Sequence, residues 1–362
     1  MNRYKDNLKF NPKFLHFRQK QYFIFFIITL MSPRRLSLHD YTDGVVSGNR
    51  FLLSQAITLI ESRHPDDQAL ANKLLQALLP SAGSSFRIGI TGVPGVGKST
   101  FIEALGILLN QQGRSLAVLT VDPSSEKSKG SILGDKTRMS TLARSSMAYV
   151  RPSAAGGALG GVAYKTREII LLCEAAGYDV VVVETVGVGQ SETEVCQITD
   201  FFLLLVLAGA GDELQGIKKG VMELADALVI NKADGDNRMA ARRAQQEYQN
   251  ALQLFRPSDS QVPVRVLTCS ARHYEGIAAV WDTLQEYQRL TQANGHLQQK
   301  REEQNLQWMH RLLQNYLQDR FWHHPPLEAI RVEVEQQVKA GALTAQQGAQ
   351  TLIAHYEQGR KS

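Results

Sequence analysis

The sequence is poor in cysteine, and this shortage narrows the class of protein. Only three cysteines occur in 362 residues, Cys173, Cys196 and Cys269, with no Cys-x-x-Cys pair and no Cys/His cluster at ligand spacing. The pattern argues against a disulfide-stapled secreted fold and a structural zinc site, and it is typical of a reducing compartment. We therefore expect a cytoplasmic protein. Internal repeats are also absent, which leaves a globular domain of ordinary kind.

Long apolar runs are scarce as well. The run Tyr22–Met31 has ten residues and follows a basic segment, but it is too short to span a bilayer. A signal-peptide cleavage site of small residues does not follow, since the chain continues with Ser32-Pro33-Arg34. We expect translation to start at Met31 and assign residues 1–33 to a leader, mis-assigned or disordered, outside the fold.

The excess of basic residues is confined to that leader. The whole chain has a formal net charge of +5, and residues 1–20 alone hold six Lys/Arg against one acidic residue. The remainder is balanced in charge, so the high isoelectric point is poor support for a nucleic-acid partner. The sequence predicts neither a nucleic-acid nor a membrane partner.

A glycine-rich segment lies between a predicted strand and a predicted helix. Gly92–Ser99 fits the pattern G-x-x-x-x-G-K-[ST], apolar Phe86–Ile90 precedes it, and Thr100–Leu109 has helical spacing. Glycines let backbone N–H groups turn toward a phosphate at the positive end of a helix. Lys98 would reach the β- and γ-phosphates and Ser99 would ligate Mg²⁺; a chance match in a glycine turn is the alternative. The phosphate-binding residues expected are Gly92, Val93, Pro94, Gly95, Val96, Gly97, Lys98, Ser99 and Thr100.

A second motif indicates which base is bound. Asn231-Lys232-Ala233-Asp234 follows an apolar strand, and the Asp234 carboxylate can accept two hydrogen bonds from guanine that adenine cannot donate. Asn231 would hold the loop, and the Lys232 stem would cover the base. Alone the motif could be a polar turn; after a phosphate loop it predicts GTP and GDP as ligands. A later strand, Val264–Leu267, leads into a loop expected to contact the guanine carbonyl: Cys269, Ser270 and Ala271.

A carboxylate ends a third predicted strand. Four consecutive valines precede Glu184, which indicates a strand buried on both faces of a parallel sheet. Glu184 could bind Mg²⁺ directly or through water, or place the attacking water, and a strand-end salt bridge is the alternative. Gly187 could donate its N–H to the γ-phosphate and make this loop a nucleotide sensor.

Two further acids lie in a long polar loop. Asp122 ends the strand Leu116–Val121, and Asp135 lies in the glycine-punctuated segment that follows. Loops of this length in compact domains are usually functional, so both are candidate ligands of Mg²⁺ or water. The alternatives are an Asx turn before Pro123 for Asp122 and a helix N-cap for Asp135.

Five longer segments carry a family resemblance: Val121–Ser125, Gly130–Met139, Leu171–Asp179, Glu184–Glu194 and Leu214–Gly220. Through them the sequence resembles, from about Leu36 to the C-terminus, the MeaB/ArgK/MMAA family of P-loop GTPases associated with adenosylcobalamin-dependent methylmalonyl-CoA mutase. That family also has Glu where most GTPases have Asp at the position of Glu184.

The resemblance implies a homodimeric GTPase with slow intrinsic turnover that docks on the mutase. There it would gate cofactor delivery, protect the cofactor from inactivation, or help to replace damaged cofactor. It implies a third nucleotide-responsive loop at Ala208–Lys218. Catalytic and metal positions carried over are Lys98, Asp122, Asp135 and Glu184, with Ser99 as a further metal ligand.

This chain departs from the family pattern in its first predicted switch, where Lys129 stands in place of a glycine before Gly130. Two other functions stay open. A GTPase that inserts metal into an enzyme shares such a core, although the His-rich tails and Cys-His motifs usual there are absent. The family also carries an older label, kinase of periplasmic basic-amino-acid binding proteins, which no acceptor-binding segment supports.

The remaining chain is expected to organise around one nucleotide domain. Alternating strands and helices predict an α/β fold with a mostly parallel, doubly wound sheet. Residues 34–82 would form an N-terminal helical cap, 83–292 the P-loop GTPase domain, and 293–362 a C-terminal helical arm. Apolar residues at helical spacing, namely Leu306, Met309, Leu312, Leu313 and Leu317, indicate dimerisation or partner docking, with packing on the chain's own domain as the alternative.

Overall fold

The computed structural model describes residues 36–122, 139–154, 163–185, 191–208, 219–253 and 259–359. The strands are β1 (Phe86–Gly92), β2 (Leu116–Asp122), β3 (Ala148–Ala154), β4 (Val180–Thr185), β5 (Phe201–Leu207), β6 (Ala227–Asn231) and β7 (Arg265–Thr268). The helices are α1 (Leu38–Val46), α2 (Arg50–Glu61), α3 (Pro65–Leu78), α4 (Lys98–Gln111), α5 (Ser140–Arg144), α6 (Ala163–Ala175), α7 (Ser191–Cys196), α8 (Lys219–Glu223), α9 (Arg238–Leu252), α10 (Ile277–Ala293), α11 (His296–Trp322), α12 (Pro325–Lys339) and α13 (Ala345–Gly359).

The strands form one parallel sheet in the order β3-β2-β4-β1-β5-β6-β7. This confirms the predicted doubly wound α/β fold. Because β1 is central and its neighbours β4 and β5 follow later in the chain, the strand order reverses at β1. In open parallel sheets ligands bind beyond the carboxyl ends of the strands at such a point.

Alternate residues of each central strand face two separate apolar layers. On β4, Val181 and Val183 pack in the layer that contains the N-terminal helices, α6, α7 and α9. Val180 and Val182 pack in the other layer, with α4 and α10. Every residue of β4 is buried, as a strand covered on both faces requires.

The N-terminal cap covers the edge strand β3. Arg151 of β3 pairs with Glu61 of α2 at 2.7 Å, and the hydroxyls of Ser54 and Tyr149 lie 3.0 Å apart. A break at residues 47–49 separates α1 from α2. There the Asn49 side chain accepts hydrogen bonds from the backbone N–H groups of Phe51 and Leu52 and begins α2.

The first half of α11 is fastened to the nucleotide domain. Arg301 donates to both carboxylate oxygens of Asp200 at 2.8 and 2.6 Å, and to the carbonyl oxygens of Gly83 and Ser85. Gln304 Nε2 donates to the Thr199 carbonyl oxygen at 2.9 Å.

Further along the helix, Arg311 pairs with Glu194 of α7 at 3.0 Å. These contacts bind α11 to the segment that leads from α7 into β5.

The opposite side of α11 is apolar and exposed. Its side chains recur at helical spacing along about three turns, and we call this surface the α11 stripe. The stripe consists of Leu306, Met309, Leu313, Tyr316 and Leu317. One face of α11 therefore packs on the chain's own domain, whereas dimerisation or partner docking through the exposed stripe stays a prediction.

Beyond α11 the chain forms a helical hairpin, α12 and α13, with a small core of its own around Leu327, Val334 and Leu352. Within the described ranges, no helix combines the length and the hydropathy needed to cross a bilayer.

Candidate functional site

The phosphate loop joins the carboxyl end of β1 to the first turn of α4. Gly92, Gly95 and Gly97 all have positive φ, a conformation that glycine adopts without strain. A Cβ on Gly92 would lie 2.3 Å from the Leu205 carbonyl oxygen of β5, and one on Gly97 would lie 2.7 Å from Asn231 Nδ2. Two of the glycines therefore also make room for neighbouring strand ends.

Lys98 is buried at the first position of α4. Its Nζ donates to the Gly92 carbonyl oxygen at 2.7 Å, so the side chain runs back along the loop toward the end of β1. The ammonium group is held inside the loop at the positive N-terminal end of the helix. Both features suit the binding of an anion.

Ser99 and Glu184 meet at the same edge of the sheet. The Ser99 hydroxyl donates to Glu184 Oε1 at 3.1 Å, and the Glu184 side chain is buried. The pair consists of a hydroxyl and a carboxylate, the hard oxygen donors that Mg²⁺ prefers. The donor chemistry therefore fits the predicted metal.

The Asn231 side chain connects the base-reading motif to the phosphate loop. Its Nδ2 donates to the Val96 carbonyl oxygen at 2.8 Å, and its Oδ1 accepts from the Ala271 backbone N–H at 3.1 Å. The Cys269 thiol lies 3.4 Å from the same Oδ1. One amide group thus holds the phosphate loop and the loop after β7 together.

Lys232 and Asp234 complete this part of the site. Lys232 Nζ donates to the Gly95 carbonyl oxygen at 2.7 Å, and its backbone has the left-handed φ of +58°. The Asp234 carboxylate accepts a hydrogen bond from the Ser270 hydroxyl. This contact orients the carboxylate that is expected to read guanine.

Burial controls the chemistry of Cys269. Desolvation raises the pKa of its thiol from 9.0 to about 12, although a hydrogen bond with the Ala271 backbone opposes the shift. The thiol is therefore neutral at physiological pH, packs in the core and is a weak donor to Asn231.

Two contacts at the site were not predicted from the sequence. Arg238 and Glu275 form a two-pronged ion pair at 2.9 and 3.1 Å between the segments that follow Asp234 and Ser270. The hydroxyls of Thr91 and Thr185, at the ends of β1 and β4, lie 2.9 Å apart. Neither pair had a local sequence signal, because the partners lie far apart along the chain.

Three predicted site residues lie wholly or partly outside the described part of the chain. Asp122 is the last residue of β2, at the same sheet edge as Glu184, but its side chain lies outside the described part. Asp135 and Gly187 fall in segments outside the described residues, as do Lys129 and nearly all of Ala208–Lys218. Their roles remain predictions.

The fold and this arrangement of motifs define a P-loop GTPase. A family model described as methylmalonyl-CoA mutase-associated GTPase MeaB matches residues 53–326. The chain belongs to this family.

Similar proteins bear names of the same kind. The chain is 53% identical over 262 residues to the GTPase ArgK of Escherichia coli, covering 72% of this chain and 79% of ArgK. It is 46% identical over 324 residues to the mitochondrial methylmalonic aciduria type A homolog of Mus musculus, covering 87% of this chain and 78% of that protein. A crystal structure titled LAO/AO transport system kinase has a TM-score of 0.72 at 40% identity, covering 88% of this chain and 97% of that one.

Proposed function

We propose that this GTPase acts as a switch on an adenosylcobalamin-dependent acyl-CoA mutase, methylmalonyl-CoA mutase in particular. In the GTP-bound state it would dock and gate loading, protection or reactivation of the mutase's cofactor. The observation that carries the proposal is membership of the mutase-associated MeaB family, combined with a site that joins a phosphate loop to a guanine-reading motif.

The chain's own residues would divide the work of hydrolysis. Lys98 would leave its contact with Gly92 and stabilise negative charge on the β- and γ-phosphate oxygens, with the N–H groups of Gly95–Thr100 beside it. Asp234 would accept the guanine N1–H and 2-amino protons, and Asn231 and Lys232 would fix the base loop. Cys269, Ser270 and Ala271 would face the guanine carbonyl.

Mg²⁺ would be held by Ser99 and Glu184, which already lie within hydrogen-bond distance of each other. Asp122 and Asp135 are the further ligands or water-positioning groups that we propose. Bound there, the ion would neutralise charge on the phosphate oxygens. Gly187 would sense the γ-phosphate through its N–H.

We further propose that the protein is a homodimer and that a second copy covers the α11 stripe. The stripe lies on a helix about 40 Å long whose other face is fixed to the chain's own domain. A two-fold axis would pack such a stripe against itself, and two-fold symmetric dimers are the commonest oligomers.

Leu313→Glu should then give monomers in analytical sedimentation. Gln314→Glu, which adds the same charge on the flank of the helix, should leave the dimer intact. A Leu313→Glu variant that stays dimeric would contradict this interface.

GTP turnover with and without the mutase tests the proposed function. Slow turnover by the purified protein, accelerated on addition of a cobalamin-dependent acyl-CoA mutase from the same source, would support it. An Asp234→Asn variant supplied with GTP is the matched control, since it should lose the stimulated rate. A rate of GTP hydrolysis that is the same with and without the mutase would contradict the proposal and favour another partner enzyme, such as a metal-centre enzyme. Transfer of the γ-phosphate to a protein acceptor would favour the kinase label.

A further inference from the structure

Two threonines are buried side by side at the carboxyl ends of the adjacent strands β1 and β4. Thr185 ends β4 after four valines and a glutamate, and Thr91 is the second-to-last residue of β1. Their side chains are 0% and 1% exposed. The Thr185 hydroxyl donates to the Thr91 hydroxyl at 2.9 Å. A buried hydroxyl costs free energy unless it is paired, so each hydroxyl makes the other tolerable.

The pair lies between the start of the phosphate loop on β1 and the Glu184 carboxylate on β4. β1 and β4 are adjacent and parallel, with Ile90 opposite Glu184, which brings Thr91 beside Thr185. Thr91 directly precedes Gly92, the first residue of the phosphate loop. Thr185 directly follows Glu184, whose carboxylate accepts the Ser99 hydroxyl. The contact therefore joins the chain just before one loop to the chain just after the catalytic carboxylate.

The hydroxyls do not touch the hydrolytic groups themselves. Successive side chains on a strand point to opposite faces of a sheet, so Thr185 lies on the α7 side with Val181 and Val183, and Glu184 lies on the α4 side. Any influence of the pair on the site must pass through the backbone of β1 and β4. Valine has nearly the same shape and would fill both positions without a polar atom, so packing alone gives no reason for two hydroxyls.

We propose that Thr91 and Thr185 are positioning residues for GTP hydrolysis. Their hydrogen bond fixes the spacing of the strand ends and so holds Glu184 within reach of Ser99 and of the phosphate loop. The proposal rests on the proposed roles of Ser99 and Glu184. A misplacement of reacting groups by a fraction of an ångström lowers the rate of the chemical step more than it weakens binding, since binding is spread over the whole nucleotide.

Single and double valine substitutions separate positioning from stability. Thr91→Val or Thr185→Val alone leaves one buried hydroxyl unpaired, so each should unfold at lower urea concentration than the wild type. The double variant removes both hydroxyls and should recover most of that loss. If the pair positions the site, the double variant should still show kcat for GTP reduced about tenfold, with KM changed less than about twofold. Thr91→Ser and Thr185→Ser keep the hydroxyls and should retain kcat.

A double variant that recovers both urea midpoint and kcat would overturn the proposal and leave the pair a structural one. So would serine variants as slow as the double valine variant, because they keep the hydrogen bond. Ser99→Ala, measured in parallel, distinguishes a failure of the threonine proposal from a failure of the proposed Ser99–Glu184 site on which it rests. Unchanged turnover in Ser99→Ala would remove the proposed role of the Ser99–Glu184 pair, whatever the threonine variants do.

Discussion

The Nζ of Lys232 lies 2.7 Å from the carbonyl oxygen of Gly95, so the base-reading segment and the phosphate loop are in direct contact. Asn231 makes a second such contact with Val96. A nucleotide spans both segments, and a site already joined in this way loses little entropy when it binds. Substitutions in the base segment are therefore expected to alter the handling of phosphate as well as the choice of base.

Replacing Asp234 with asparagine should change the base that the protein prefers. The amide can no longer accept both guanine protons, and affinity for GTP should fall about 100-fold, while xanthosine triphosphate, whose C2 carbonyl can accept the new amide protons, should bind better. Nucleotide affinities measured by competition give both quantities. Asp236→Asn, two residues further on and exposed, is the control. Unaltered GTP affinity in Asp234→Asn would refute base reading by this carboxylate.

Replacing Lys98 with alanine should abolish GTP hydrolysis, with a loss in kcat of at least about 100-fold, because in the proposed mechanism the ammonium group would stabilise charge on the transferring phosphoryl group. Single-turnover measurements with saturating enzyme would separate this loss from weaker binding. Lys73→Ala removes an exposed lysine on α3 and should hydrolyse GTP at the normal rate. Full activity of Lys98→Ala would show that the catalytic site lies elsewhere.

The ion pair of Arg301 and Asp200 should contribute strongly to stability. Asp200 is fully buried and Arg301 is 16% exposed, so Arg301→Ala leaves a buried carboxylate without its main partner. We expect the free energy of unfolding to fall by about 3–5 kcal/mol in urea titrations. Arg331→Ala, which breaks the exposed pair with Glu335, should cost less than about 1 kcal/mol. Equal effects of the two substitutions would show that α11 is not fastened as described.

The thiol of Cys269 should be unreactive in the folded protein at pH 8. Burial raises its pKa to about 12, so the reactive thiolate is almost absent, whereas an unfolded chain ionises near the ordinary value of 9.0. Iodoacetamide labelling followed by peptide mass analysis should detect Cys269 in urea and not in buffer. For the same reason the contribution of this thiol to stability should be present below pH 9 and decline as the pH rises toward 12. Fast labelling in buffer would contradict the burial.

Much of the fold and site could be predicted because the signals are local. The phosphate loop and the guanine motif each occupy a few consecutive residues, and the apolar runs Phe86–Ile90, Leu116–Val121 and Val264–Leu267 lie within two residues of the bounds of β1, β2 and β7. Strand ends were placed too early at β1 and β4 because the polar Thr91 and Thr185 interrupt the apolar pattern although both are buried. Hydropathy cannot register a hydroxyl that is paired inside the protein.

Contacts between distant residues could not be predicted in this way. Arg238 and Glu275 look like ordinary surface charges in the sequence, and only the meeting of two loops makes them a pair. The α11 pattern was ambiguous for a related reason. A helix with apolar and charged residues on several sides can both pack inward, through Trp308, and present a stripe such as Leu313 outward. Which face of the helix packs inward and which face is exposed depends on partners that lie about a hundred residues earlier in the chain.

The large sequence separation between Arg301 and its partners also affects folding during translation. Its guanidinium bonds to Gly83, which the ribosome released 218 residues earlier, and to Asp200, about a hundred residues earlier. At typical rates of synthesis roughly ten seconds separate the emergence of β5 from that of α11. During that interval Asp200 and the segment before β1 lack their contacts with the Arg301 guanidinium. We therefore expect the nascent chain to stay dependent on chaperones until α11 has left the ribosome, so that a nonsense mutation before residue 301 would yield a chain cleared by proteolysis although every strand of the sheet had been translated.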